Sequence, residues 1–154
     1  MSHEYTYDIS MFRDTFETRF TYLNGFLRNV SRFGSRPALF DPHSGRRWTY
    51  AELNAEANRL AHALRADGVG KNDVVMFTLL NSPEFVFCYL AAHKIGAVAC
   101  PVNYRQGAGE IALVIDDSTP KAFIYDAEFG ELSGGALDLC ESKPAIKIVV
   151  GADD

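Results

Sequence analysis

Asp73-Val74-Val75-Met76-Phe77-Thr78-Leu79-Leu80 is followed by Asn81 and Ser82-Pro83, by an apolar run from Phe85 to Ile95 that ends at Gly96, and by Val98-Ala99-Cys100-Pro101-Val102. A continuous apolar run of strand length is what a parallel strand covered on both faces requires. Ser-Pro opens a helix well, because proline at the first helical position gives up an N–H that has no intrahelical partner anyway. Glycine at the far end takes the left-handed conformation that stops a helix. Strand, helix and strand with short joints read as a βαβ unit. The fold expected is α/β, a mostly parallel sheet flanked by helices.

The alternation continues downstream. A short helix is predicted over Glu110–Asp117, a strand over Ala122–Tyr125, and a helix interrupted by Gly130, Gly134 and Gly135 over Ala127–Cys140. A last strand follows over Ile146–Val150, and Gly151 to Asp154 trail off. Upstream, Thr49-Tyr50-Ala51-Glu52 is a capping box, in which hydroxyl and carboxylate each accept from the other residue's backbone N–H. Leu53, Ala57, Leu60, Ala61 and Leu64 then share one helix face, and Gly68 ends it. Ala38-Leu39-Phe40 and Arg47-Trp48 flank the turn Asp41-Pro42-His43-Ser44-Gly45, which predicts a small hairpin. Before it, Phe16, Phe20, Leu23, Leu27 and Val30 follow a 4-3-4-3 spacing and predict a leading helix stopped by Gly34. Arg28, Arg32 and Arg36 form a basic stripe, read as solvated surface. Residues 1–14 are expected to be flexible, and no repeat or long linker divides the 154 residues.

Hydrophobic residues make up 47% of the chain and charged ones 23%, enough for a core and unlike a disordered chain. The net charge of −5 disfavours nucleic acid or an anionic membrane as main partner, since either needs a concentrated basic surface. Cys88, Cys100 and Cys140 are odd in number and widely spaced, which suits neither a disulfide framework nor a zinc site and points to a reducing compartment. Met1 to Met11 is polar and acidic, unlike a signal peptide. Phe85–Val102, the most apolar window, carries His93, Lys94, Gly96 and Pro101 and does not read as a membrane span. The expectation is a cytoplasmic protein.

Two glycine clusters invite a nucleotide reading. Gly68-Val69-Gly70 precedes a strand, so its amides do not stand at a strand-to-helix turn. Gly107-Ala108-Gly109-Glu110-Ile111-Ala112 spells G-x-G-x-x-A ahead of a helix, with Asp126 near the place of a ribose-binding carboxylate. Asn103-Tyr104-Arg105-Gln106 separates it from the strand, however, where a dinucleotide fold leaves almost no gap. A dinucleotide-binding domain stays as one alternative. His3, His43, His62 and His93 are paired with no nucleophile or metal ligand. Asp116-Asp117-Ser118 ends a helix, and Asp117 or Ser118 reads as turn chemistry in place of metal ligation. No P-loop, H-E-x-x-H or nucleophile elbow is present. By themselves the residues offer no catalytic, cofactor-binding or metal-binding set, so a stand-alone, non-catalytic α/β binding or partner module is the other alternative.

Eight words in order, from Arg36 to Asp126, carry a resemblance. They are Arg36-Pro37-Ala38-Leu39, Trp48-Thr49-Tyr50-Ala51-Glu52-Leu53, Asn58-Arg59-Leu60-Ala61, Gly68-Val69-Gly70-Lys71-Asn72-Asp73-Val74-Val75 and Leu80-Asn81-Ser82-Pro83-Glu84-Phe85. Gly96-Ala97-Val98, Pro101-Val102-Asn103-Tyr104-Arg105 and Ile115-Asp116-Asp117-Ser118 complete the series. This stretch resembles the N-terminal part of the adenylate-forming (AMP-binding) enzymes, most of all the acyl-CoA synthetases, or fatty-acid-CoA ligases.

The resemblance implies the first α/β subdomain of that family's large domain, so that residues 1–154 form a partial domain. The remainder of the ligase, in the same or a separate chain, would be its partner. The parent reaction it implies has two steps. A small carboxylic or fatty acid attacks the α-phosphate of Mg·ATP to give an acyl-adenylate and pyrophosphate, and the thiol of CoA then displaces AMP. ATP, Mg and CoA are expected for the full-length parent, none of them in this chain. In the family, the phosphate loop with its Lys, the adenine-binding aromatic segment, the ribose-binding Asp and the catalytic Lys lie further along. None has a counterpart here, so the isolated chain is expected to be catalytically incompetent. The resemblance singles out Arg105 for CoA binding: in some relatives a basic residue of this region contacts the nucleotide phosphate of CoA, and forked guanidinium donors suit that role. Gly107-Ala108-Gly109 departs from the Pro or acidic residues with which relatives usually open the next helix. A sheet cut after its last strand would also leave an unpaired edge, which favours a homodimer through that edge.

Overall fold

A computed structural model describes residues 8–151. His3, the first seven residues of the stretch expected to be flexible, and the tail beyond Gly151 lie outside them. Asp8 caps helix α1 (Ile9–Arg13), its carboxylate accepting from the Ser10 N–H at 2.8 Å. A π-helical turn, Asp14–Arg19, follows directly.

The single leading helix expected from Phe16 is broken. Thr21 is extended and caps a new helix, α2 (Tyr22–Phe33), by accepting from the Asn24 N–H at 3.2 Å. The break leaves Phe16 and Phe20 outside α2. Both are exposed, as is Leu27, while Phe26 packs beside Trp48 and Leu53. A capping hydroxyl outcompeted an apolar spacing that ran straight through it.

The hairpin forms as expected from β1 (Pro37–Phe40) and β2 (Arg47–Thr49), antiparallel. Gly45 takes φ +71° in the turn, a region open to glycine without a Cβ clash. Thr49 then closes the capping box of α3 (Tyr50–Ala66): the Glu52 carboxylate accepts from the Thr49 N–H at 2.8 Å, and the Thr49 hydroxyl accepts from the Glu52 N–H at 3.2 Å.

Four strands make the main sheet: β3 (Val74–Thr78), β4 (Val98–Pro101), β5 (Ala122–Asp126) and β6 (Ile146–Val150). They lie in the order β4-β3-β5-β6, all parallel. The helices α4 (Pro83–Ile95), α5 (Ala108–Ser118) and α6 (Gly130–Leu139) connect them. Proline stands at the first position of α4, and Gly96 ends it at φ +73°. Helix α5 starts two residues before the expected Glu110, because the Glu110 carboxylate reaches back to the Gly107 N–H at 2.8 Å. Helix α6 tolerates its glycines partly because Gly135 sits against α5, where a Cβ would come within 3.4 Å of the Ala108 Cβ.

Side chains alternate between two helical layers. Val75 and Phe77 of β3, with Ala122 and Ile124 of β5, meet Leu64 of α3 and Cys88 and Ala91 of α4. Met76 and Phe123 point the other way, onto Ile111 and Ile115 of α5 and Ala136 of α6. A smaller cluster of Trp48, Leu53, Ala57 and Leu90 seats the hairpin against α3 and α4. The molecule is the α/β, mostly parallel architecture read from the sequence.

Candidate functional site

The chain leaves β3 for β4 on one side and returns past β3 to reach β5 on the other. In open α/β sheets, ligands bind outside the carboxyl ends of the strands at such a reversal. Three loops meet there: residues 79–82 after β3, 102–107 after β4 and the 3₁₀ turn Ala127–Phe129 after β5.

Tyr104 and Phe129 stack nearly parallel across two of these loops, with centroids 5.0 Å apart and planes at 10°. The Arg105 guanidinium lies 5.6 Å from the centre of the Tyr104 ring, within the range of a cation–π contact. Asn103 holds this loop, its side-chain oxygen accepting from the Arg105 N–H at 3.0 Å. Arg105 is exposed and makes no ion pair among the described residues. It therefore presents a free guanidinium on an aromatic platform at the carboxyl edge.

Beside it lies a cleft of about 490 Å³ between the hairpin turn and the start of α4, lined by Asp41, Arg46, Trp48, Asn81, Glu84 and Tyr104 among others. Arg46 stacks on Trp48 with its guanidinium carbon 4.6 Å from the ring centre. The Ser44 hydroxyl and the His43 N–H donate to Asp41 and hold its carboxyl below the ordinary carboxylate range. Ser82 begins α4 without a side-chain cap, and its buried Oγ has no partner among the described residues.

The other sequence candidates do not gather here. Gly107 has φ −76°, which any residue adopts, and a Cβ on Gly109 would meet nothing within 4 Å. Asp126 is used in capping the 3₁₀ turn, accepting from the Glu128 N–H at 2.9 Å. The roles that glycines play in a dinucleotide fingerprint are not filled, and that alternative is not favoured. Asp116 accepts from the Glu141 and Ser142 N–H groups, each at 2.8 Å, and so pins the loop before β6. The Ser118 hydroxyl donates back to the Val114 carbonyl at 2.6 Å. No cluster of metal-ligating side chains occurs among the described residues. The cysteines are free; burial first, and the Glu84 charge second, push the Cys88 thiol up to about 12. The sequence points to Arg105 through a resemblance but not to its platform, because Tyr104 and Phe129 meet only through the sheet.

Residues 26–154 match the AMP-binding enzyme family. The chain belongs to that family. Among curated AMP-binding relatives, it is 42% identical over 106 residues to the 3-hydroxybenzoate--CoA/4-hydroxybenzoate--CoA ligase of Thauera aromatica, covering 69% of this chain and 20% of that protein. It is 43% identical over 116 residues to the long-chain-fatty-acid--CoA ligase FadD13 of Mycobacterium tuberculosis, covering 75% and 23%. Among solved structures, the N-terminal domain of FACL13 from Mycobacterium tuberculosis superposes with a TM-score of 0.75 at 33% identity, over 81% of this chain and 32% of that one. The chain thus spans about a fifth of the length of these curated AMP-binding relatives.

Proposed function

We propose that this chain is the N-terminal segment of an AMP-forming acyl-CoA ligase, which converts ATP, a carboxylic or fatty acid and CoA into acyl-CoA, AMP and pyrophosphate. The observation that carries it is the more than 40% identity, over most of the chain, to proteins named as CoA ligases. The stand-alone module is not favoured by that continuous match. The remainder of the ligase, in the same or a separate chain, is the partner assigned to this segment. With no helix among the described residues long and apolar enough to cross a membrane, and three free cysteines, a cytoplasmic setting is the one proposed.

ATP and Mg are assigned to the remainder, because the sequence of this chain carries no P-loop. There they would supply the activated α-phosphorus and the charge neutralisation that adenylation needs. CoA fits better here. Arg105 projects two-pronged donors from a stacked aromatic base, the chemistry that holds a nucleotide phosphate. Its task would be to position CoA, with no share in bond making.

Two assays test this reading. The 154-residue chain alone should release no pyrophosphate when given acid and ATP, and acyl-dependent release from the pure chain would overturn its assignment as an incompetent segment. In the full-length ligase, Arg105→Ala should raise the KM for CoA roughly tenfold, as expected for losing one exposed charge-assisted contact. Adenylate formation should be unchanged. An unaltered KM for CoA would remove Arg105 from the site.

A further inference from the structure

Helix α4 differs from the other helices that flank the sheet. Helices α3, α5 and α6 each turn charged side chains to solvent, among them Arg59, Arg65, Glu110, Asp117, Glu131 and Asp138. In α4 the eight residues from Phe85 to Ala92 carry no charged or amide side chain, and no residue from Pro83 to Ile95 is exposed. Glu84, His93 and Lys94 stand at its ends. A helix that is apolar on every side belongs inside a protein, covered on every side. The sheet covers one side of α4 through Cys88 and Ala91, and α3 and the hairpin cover another through Leu90.

The remaining side is open. Phe85, Tyr89 and His93 recur along it at every fourth position, with Val86 beside them. Between α2 and α4 this side forms an apolar groove of two joined parts, about 430 and 280 Å³, with Tyr22 and Val86 lining both. Phe26, Leu53 and Leu90 line the larger part, and Phe85, Tyr89 and His93 the smaller. Tyr22 meets His93 edge-on, with centroids 5.7 Å apart, and is itself 66% exposed. No Asp, Glu, Lys or Arg lines either part.

We propose that this groove is an internal seam of the ligase, on which apolar side chains from the rest of the enzyme pack against α4. The inference rests on the ligase reading above. About four fifths of the length of the matched CoA ligases lies outside this chain, and so does about two thirds of the FACL13 N-terminal domain. Further chain is therefore at hand to supply the missing cover. An acid substrate does not suit the groove, because its carboxylate would find no cation there. A second copy of this chain does not suit it either. A two-fold contact would face one concave surface with another and leave a void between them.

The test compares the 154-residue chain with the full-length ligase by the rate at which N-ethylmaleimide labels a cysteine placed in the groove. Tyr22→Cys and Val86→Cys are the two probes. Cys88 and Cys140 are buried and Cys100 is half-buried, and labelling of the parent gives their background. Both probes should react in the isolated chain and roughly a hundredfold more slowly in the ligase, as a covered site that opens only locally does. Arg65→Cys, exposed on α3, should react at the same rate in both. Equal rates at the groove, or equal protection at Arg65, would overturn the proposal. Protection already present in the isolated chain and lifted by dilution would overturn it in favour of a second copy. Should Val86→Cys misfold, Tyr22→Cys still decides, since that position is exposed in the chain. Acyl-CoA formation keeps the two readings apart. A full-length enzyme that makes acyl-CoA with its groove open removes this proposal alone, whereas no acyl-CoA from the full-length parent removes the ligase reading and this proposal with it.

Discussion

Strands β3 and β6 are five residues each and lie in the same parallel sheet, yet they are held very differently. β3 has a neighbour on each side, and Val75, Met76, Phe77 and Thr78 are all 0% exposed. Among the described residues β6 pairs with β5 alone; Ile146, Ile148 and Val150 are half-buried on one face, while Lys147 and Val149 are exposed on the other. The sequences record this. Val-Val-Met-Phe is apolar throughout, as two covered faces demand, whereas Ile-Lys-Ile alternates as one covered face demands. The core is centred on β3 and thins out towards β6.

The largest effect should come from breaking that centre. Phe77 packs edge-on against Phe85 and Tyr89, with centroids 5.1 and 5.8 Å away. Phe77→Ala should cost about 3–5 kcal/mol, a large share of the 5–15 kcal/mol typical of a domain. Ile148→Ala, at a half-buried position, should cost about 1–2 kcal/mol. Urea denaturation of the two variants measures the difference. Equal losses would mean that the core extends evenly to β6.

The two edges of the sheet differ as well. β4 ends in Pro101, which has no N–H to offer a further strand. β6 has no proline, and Lys147 is its one charge. Self-association should therefore run along β6, which is the homodimer expected from an unpaired edge. Val149→Lys should lower the dimer fraction several-fold in light scattering while changing stability by no more than about 0.5 kcal/mol, as exposed substitutions do. An unchanged dimer fraction in Val149→Lys would mean that association does not run along β6.

What could be read in advance was whatever depends on near neighbours in sequence. The Thr49–Glu52 box, Pro83 opening α4 and Gly96 closing it each follow from chemistry within a few residues, and each stands as expected. The leading helix failed for the complementary reason. The spacing of Phe16 to Val30 is a weak signal summed over four turns, and one Thr21 cap overrides it. At the candidate site, Arg105 was nameable only through a resemblance, since an exposed arginine after a strand carries no mark of its own. The stacking of Tyr104 on Phe129 joins residues that only the β4-β3-β5 order brings together, and no local pattern encodes that.

The smallest effect lies at the amino edge of the sheet, where β3 and β6 share one anchor. Asp73, just before β3, accepts from the Gly70 N–H at 2.8 Å and from Lys121 Nζ at 3.0 Å. Lys121 also donates to the Gly68 carbonyl at 2.6 Å, and its own carbonyl accepts from the Ile146 N–H at 3.1 Å, at the start of β6. The Gly70 N–H chiefly, and Lys121 after it, hold the Asp73 carboxyl below the ordinary carboxylate range. A carboxyl depressed on folding contributes stability that is fully present above its unfolded pKa and is lost as pH falls through the folded one. Asp73→Asn should therefore lower Tm at neutral pH, and the gap to the parent should narrow as pH drops below about 4. Asp73 and Lys121 are both partly exposed, so the gap stays small. A gap that widens in acid would show that the carboxylate charge is not what ties this edge. Lys121→Met carries the test back to the two strands. With β3 held on both sides and β6 on one, amide exchange should quicken in β6 first, and equal quickening would mean that the strands open as one unit.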